Sequence, residues 1–330
     1  MNKQRQAKVS TCVLLLGAMA LTACSGDPEP APDPGSQEQF STSIGVPGRT
    51  MTFAPEYLAL DKGFFADEGV DVEIKAVTSA NAVAAAINGD VPYVAALGSG
   101  IRAAVSGADL VAIASVNNVI PMRLIADSRY SAIEDLAGTV IGAGNTGSST
   151  HLFALDLFAE HGVAEGEATF LSCMDEACLQ SLLAGSLSAA VLQQPYAAMA
   201  LDEGAVALTG VEEFYPEHGN GLLVSRQYLE DNREETVRVV AALNRAVEYL
   251  QDPANREENI AYFVDTFALS PELAEASFDD LVISLRDDAS IDADGLQAQG
   301  SAYAESLDDG STFDVTRSAD TTVFDEATQD

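Results

Sequence analysis

Between residues 41 and 225 the chain alternates short apolar runs with amphipathic ones. In 70–77, Val70, Val72 and Ile74 alternate with Asp71, Glu73 and Lys75, the two-residue period of a half-buried strand. SANAVAAAINGD (79–90) predicts a helix, with Ser79 as candidate N-cap and Gly89 as candidate C-cap. STSIGV (41–46) reads as a strand, and PEYLALDKGFF (55–65) as a short helix opened by Pro55 and broken by Gly63. VPYVAAL is a strand, Gly98-Ser99-Gly100 a turn, the run to about Gly107 a helix, and DLVAIASVNN a strand. The rhythm restarts at MRLIADS. A short helix in AIEDLAG precedes a strand in TVIGAG and a helix in SSTHLFALDLFAEHG. ATFLSC, DEACLQSLLAG, AAVLQQ and YAAMALDEG continue as strand, helix, strand, helix, and VALTG and GLLVS are strands. This alternation predicts mostly parallel sheets with right-handed crossovers. After Ser225 the pattern becomes helical. The run 233–251 is a long amphipathic helix with Val237, Val240, Ala241 and Leu243 on or near one face, and helices follow near 255–267, 271–285 and 294–307.

Two α/β units and a helical tail predict a bilobal molecule, with the chain crossing to a second lobe near 120 and returning near 220. Crevices in open α/β sheets lie beyond the carboxyl ends of strands. Four polar turns fall there: Gly98-Ser99, Asn117-Asn118, Asn145 to Thr150, and Gln193-Gln194. Their neutral hydrogen-bonding groups suit a binding cleft better than a reaction centre. The turn at 148–150 is the most explicit, because Ser148, Ser149 and Thr150 open a helix. Unpaired backbone N–H groups, the positive end of the helix dipole and three hydroxyls would hold a carboxylate, sulfonate or carbonyl oxygen without a basic residue. Simple N-capping needs only one of the three. Thr150 and His151 do not form a ready catalytic dyad, since adjacent helical side chains point about 100° apart.

Composition adds two constraints. Sixteen Lys and Arg against 51 Asp and Glu give a net charge of −35 over 330 residues. A nucleic-acid partner is excluded for want of a basic footprint, and an anionic ligand would need locally built donors. Such acidity suits a saline habitat. The N-terminus carries Lys3, Arg5 and Lys8, then the apolar run VLLLGAMALTA (13–23), too short for a comfortable membrane span. Leu21-Thr22-Ala23-Cys24 resembles a bacterial lipobox, with Cys24 as the lipidated residue. SGDPEPAPDPGSQEQ (25–39), with four prolines, reads as a disordered tether reaching roughly 45 Å. The expected division is a lipoprotein signal peptide over 1–23, a tether over 24–40, lobe one over 41–120, lobe two over 121–220 and a mostly helical return to lobe one over 221–330. The protein is expected at the cell membrane, lipid-anchored and facing outward.

Cys173 and Cys178 are the cysteines left in the body, and in an exported protein such a pair predicts a disulfide. The C-x4-C spacing also admits free buried thiols or metal ligands, but no histidine cluster accompanies it. Gly142, Gly144 and Gly147 spell the G-x-G-x-x-G of dinucleotide sites. The acidic residue expected at the end of the next strand is missing, since Glu165 and Glu167 precede ATFLSC. The glycines are instead expected to let backbone approach a small solute.

FAPEYLALDKGFFADEGVDVEI (53–74) resembles the opening of the nitrate/sulfonate/taurine-type substrate-binding proteins of ABC importers, a superfamily that includes binders of thiamine pyrimidine precursors. Pro55, Tyr57, Ala59, Lys62, Gly63, Phe65, Gly69, Val70 and Val72 fit its pattern. AINGDVPYVAALGSG, IEDLAGTVIGAGNTGSSTHLFA and LLAGSLSAAVLQQPYAAMA match later segments in order. Tyr93 and Ser188 stand where aspartate is usual. The resemblance covers roughly 42–325 and implies the two-lobed periplasmic binding protein fold (type II), an α/β architecture with a ligand cleft between the lobes and a helical C-terminal return. It also implies a monomer without cofactor, metal or catalysis, which passes a small solute to an ABC permease with its cytoplasmic ATPase. Ligand contacts are then expected from Arg49 and Phe53 in the first strand–helix loop, Gly98 and Ser99, Asn117 and Asn118, Ser148 to Thr150, Gln193, Gln194 and Tyr196. Arg49 would pair an anion or stay a solvated rim charge, and the two asparagines would touch ligand or cap a strand. An enzyme of pyrimidine-precursor synthesis on this fold, with His151 and the cysteine pair as its handles, and a non-transport solute sensor remain as alternatives.

Overall fold

The computed structural model describes residues 39–329 apart from Glu165 and Asp308. The expected signal peptide, the expected lipidation site Cys24 and the expected tether up to residue 38 lie outside the described residues. Among the described residues ten strands appear in chain order: β1 (Phe40–Val46), β2 (Val70–Ala76), β3 (Tyr93–Val94), β4 (Leu110–Ala112), β5 (Met122–Ala126), β6 (Val140–Ala143), β7 (Thr169–Ser172), β8 (Ala189–Gln193), β9 (Val206–Ala207) and β10 (Leu223–Ser225). They form two five-stranded sheets, ordered β2-β1-β3-β10-β4 and β7-β6-β8-β5-β9. Both sheets are mixed. β1 pairs in parallel with β2 and β3, and β6 with β7 and β8. β10 runs antiparallel to β3 and β4, and β5 antiparallel to β8 and β9. The expected parallel pattern fails at these two strands for one reason. Each is the first strand after a crossing from the other lobe, and periodicity carries no sense of direction.

Each sheet is buried on both faces, which explains the near-continuous apolar runs. One face of the first sheet packs Ile44, Val111 and Val224 into a core with Val239, Leu243 and Val247 of the helix Arg233–Gln251. Its other face packs Val94, Ala112 and Leu223 into a core with Ile101 and Leu296. In the second sheet Leu124, Ile141 and Val191 share a core with Phe153 and Leu157, and Ile125, Ala190 and Leu192 share one with Leu179 and Leu182. Tyr93 is fully buried, donating to Glu235 Oε1 at 3.0 Å and lying 2.9 Å from Thr236 Oγ1, so it ties β3 to the long helix.

Some boundaries differ from the sequence reading. Gly98, Ser99 and Gly100 lie inside the helix Leu97–Val105 instead of forming a turn before it. The N-cap of the helix Ser79–Asn88 is Thr78, one residue earlier than expected, while Gly89 is its left-handed C-cap. AIEDLAG holds only a single 3-10 turn, Ile133–Leu136.

The two crossing segments are bonded to each other. Ile120 N donates to Tyr215 O at 2.8 Å, Tyr215 N returns to Ile120 O at 3.1 Å, and Val116 N donates to Asn220 O at 3.1 Å. A buried ion pair braces the same region. Arg123 on β5 grips Asp280 of the helix Pro271–Ser284, with Nη2 to Oδ1 at 2.8 Å and Nε to Oδ2 at 3.1 Å. Gln194 Nε2 adds a third donor to Asp280 Oδ2 at 2.8 Å. Among the described residues, no helix is long and apolar enough to cross a membrane, and no His, Cys, Asp and Glu cluster is placed to hold a metal ion.

Candidate functional site

The loop after β1 begins with Pro47 and Gly48, which end the strand. It then makes a 3-10 turn over Met51–Phe53, ahead of the helix Ala54–Asp61. Thr50, Thr52 and Phe53 are held buried there. Ser148, the N-cap of the helix Ser149–Glu160, accepts from His151 N. Thr150 Oγ1 accepts from Gly144 N at 3.0 Å and lies 3.0 Å from Ser148 Oγ. These two regions face one another across a cavity of about 90 Å³.

From the first lobe the wall includes Thr50, Thr52, Phe53, Ala96 and Ser99. The second lobe adds Ser148, Ser149, Thr150, Met174, Asp175 and Gln193, and the crossing segments add Ile120 and Gly219. Three hydrogen bonds join the lobes beside it. Met51 N donates to Gln194 O at 2.9 Å, the Thr52 hydroxyl donates to Gln193 Oε1, and Arg102 Nη2 donates to Ser149 Oγ at 3.2 Å. No Lys or Arg lines the cavity, and Asp175 is its one acid. The Asp175 carboxyl is half-buried, and desolvation raises its pKa to about 6, although the Gln193 N–H bonded to it at 2.9 Å pulls the other way. Thr50 Oγ1 is buried with no hydrogen-bond partner, an orphan group that a bound solute would satisfy.

Of the residues expected to contact ligand, the structure brings Phe53, Ser99, Ser148, Ser149, Thr150 and Gln193 to this cavity. The others stand outside its lining. Arg49 is exposed and lays its guanidinium 5.5 Å from the Tyr57 ring centroid and 6.0 Å from that of Phe267. Gly98 packs against Glu217, and its N–H goes to Gly219 O. Asn117 is buried and spends its amide on Val119 O, Gly219 N and Asn220 N, while Asn118 is exposed. Gln194 is committed to Asp280 and to Ala198 N. Tyr196 is half-buried outside the lining; desolvation foremost, and then the Asp175 charge, raises its phenol pKa.

Asp175, Thr52 and Met174 were not foreseen. Met174 and Asp175 sit just past β7, the same strand-end rule that marked the other turns, but the acid reads equally well as the first residue of a helix. The glycine motif also serves another purpose than expected. A Cβ on Gly144 would collide with Thr150 Oγ1 and Ser148 Oγ, and one on Gly142 would press on Leu187 and on Cys173 Sγ at 3.0 Å. Gly147 takes a left-handed φ of 79°. The glycines therefore make room for the chain's own hydroxyls and for the disulfide that joins Cys173 to Cys178. His151 Nδ1 accepts from Gly147 N at 3.3 Å and its ring meets Phe170 edge-on, outside the cavity lining.

A fully buried acid lies beneath the first loop. Asn220 Nδ2 donates to Thr52 O at 2.8 Å and to Glu56 Oε2 at 3.2 Å, and Glu56 is fully buried with Oε1 unpartnered. Desolvation raises its pKa to about 8. A carboxyl raised in the folded state contributes its full stability below its unfolded value of 4.5, and this is lost as pH rises through 8. Glu56→Gln should thus melt close to wild type at pH 5 and a few degrees higher at pH 9, as read by circular dichroism. Equal melting points at both pH values would refute the assignment.

The family profile described as "NMT1/THI5 like" matches residues 50–256. No curated protein sequence matches the chain. Among solved structures, the alkanesulfonate-binding protein SsuA of Xanthomonas axonopodis pv. citri, bound to MOPS, aligns with a TM-score of 0.68 at 20% identity, covering 82% of this chain and 93% of that one. The periplasmic aliphatic sulphonate binding protein SsuA of Escherichia coli gives 0.67 at 18%, covering 85% and 97%. The periplasmic nitrate-binding protein NrtA of Synechocystis PCC 6803 gives 0.70 at 12%, covering 88% of each. At these identities the likeness is one of fold, and that fold is the two-lobed periplasmic binding protein fold. With the profile spanning well over half of its length, the chain belongs to the NMT1/THI5-like family.

Proposed function

We propose that this protein is the extracytoplasmic solute-binding lipoprotein of an ABC importer, held to the membrane through Cys24 and delivering a small solute to its permease as a monomer. The observation that carries this reading is the cavity itself, walled by both lobes and lined by hydroxyls, an amide and apolar side chains. The sulfonate- and nitrate-binding proteins that share the fold support it. The solute is a sulfonate, a nitrate-like anion or a pyrimidine of the thiamine-precursor type, held with a dissociation constant of about 10⁻⁷ to 10⁻⁵ M. Nothing in the cavity favours catalysis, since its hydroxyls have no histidine beside them in the lining and His151 is engaged elsewhere.

A thermal-shift screen over these three classes tests the proposal. A solute at about 100 times its dissociation constant adds ~2.7 kcal/mol, which raises the melting temperature by roughly 5 °C in a domain of this size. Turnover of the solute, or no shift with any class, would sink it.

A further inference from the structure

The cavity is the wrong shape electrically for a bare anion. Its lining holds one charged group, the carboxylate of Asp175, and no cation. Asp175 makes no ion pair among the described residues. Its Oδ1 accepts from Gln193 N at 2.9 Å, and no side-chain donor among the described residues reaches Oδ2. The Arg102 guanidinium, which reaches the cleft at Ser99 and Ser149, is already spent. It lies 2.7 Å from Glu217 Oε1 and also donates to Ser99 and Ser149, so the first-lobe rim of the cleft is close to neutral. A half-buried carboxylate with no charged partner and the orphaned Thr50 hydroxyl thus share one small cavity. Partial desolvation of such an acid is costly, and a solute that supplies a donor recovers part of that cost.

We propose that Asp175 is the specificity-determining residue of this site, and that it selects a small solute presenting an N–H donor, as a protonated amine or an amino group on an aromatic ring, over a bare anion. The inference rests on the solute-binding reading above. The remainder of such a solute, an anionic or carbonyl oxygen, would meet the hydroxyls of Ser148, Ser149 and Thr150, while Phe53, Met122 and Met174 supply apolar wall. A donor and an acceptor end therefore have separate, complementary places.

The titration of Asp175 gives the reading a sign. A donor-bearing solute binds the ionised carboxylate, so its affinity rises as pH climbs through about 6 and then levels. A bare anion would need the protonated form, and its affinity would fall over the same range. The charged and titratable groups that act on the Tyr196 phenol together with Asp175 are Glu176, Arg49 and Tyr57.

Matched pairs of solutes provide the test. Isothermal titration of the purified chain would compare 2-aminoethanesulfonate with propane-1-sulfonate, and 4-amino-2-methylpyrimidine with 2,4-dimethylpyrimidine, with nitrate alongside. Each pair exchanges a nitrogen donor for a methyl group. The expected result is a preference of about 10- to 100-fold for one amino member, lost in Asp175→Asn. Asparagine can keep Oδ1 for the Gln193 N–H, so the variant should melt like wild type, and a second variant, Asp175→Ala, should lose the preference too, with a lower melting temperature. Equal affinity within every pair that binds, tight nitrate binding, or a preference that survives Asp175→Asn would overturn the inference while leaving a solute-binding protein. Silence with every probe would overturn both.

Discussion

Replacing Ser148, Ser149 and Thr150 together by alanine is expected to weaken solute binding by about 100-fold or more. Each hydroxyl contributes on the order of 0.5–1.5 kcal/mol as a neutral hydrogen bond, and all three line the cavity. The fold should survive. Ser148 is the N-cap of its helix, a loss of about 1 kcal/mol, or a drop of a few degrees in melting temperature. Gly144→Ala supplies an independent check, because its Cβ collides with Thr150 Oγ1 and Ser148 Oγ and so displaces both without deleting either. Titration calorimetry on the two variants reads the effect. An unchanged dissociation constant in the triple variant would place the solute elsewhere.

The largest effect on stability is expected from Asp280→Ala. Its carboxylate is bonded by two nitrogens of Arg123 and one of Gln194, and both members of the ion pair are mostly buried. Removing the acid leaves a guanidinium stranded next to the crossing segments, at a cost of about 3–5 kcal/mol. That corresponds to roughly 10 °C in melting temperature. The pair is not itself expected to be worth this much. The double variant Arg123→Met with Asp280→Leu removes both charges and should regain most of the loss. Urea denaturation of the single and double variants distinguishes the outcomes. If the double variant is as unstable as the single, packing and not charge sets the cost.

Element types were legible wherever burial alone dictated them. The alternation in 70–77 became β2, and the helices at 233–251 and 256–267 appear almost residue for residue. Strand direction was not legible, because β5 and β10 owe theirs to the other lobe and an apolar run reads the same both ways. In the site, Ser148 to Thr150 were legible from a strand end followed by a cap. Asp175 was hidden because a first-turn acid has an ordinary explanation. Asn117 and Gln194 misled because polar turns at a crossing also have backbone groups and ion pairs to satisfy, and there the structure spends them.

The three bonds that join the lobes beside the cavity carry a consequence for affinity. In the Met51–Gln194 bond neither partner lines the cavity, and in the Arg102–Ser149 bond the donor does not, yet both must release if the lobes part. The balance between joined and parted forms multiplies directly into the apparent dissociation constant. Strengthening or weakening this rim would therefore retune how tightly a solute is kept without changing which solute is kept. Avidity and choice are separately adjustable in this molecule, one at the seam and the other in the wall.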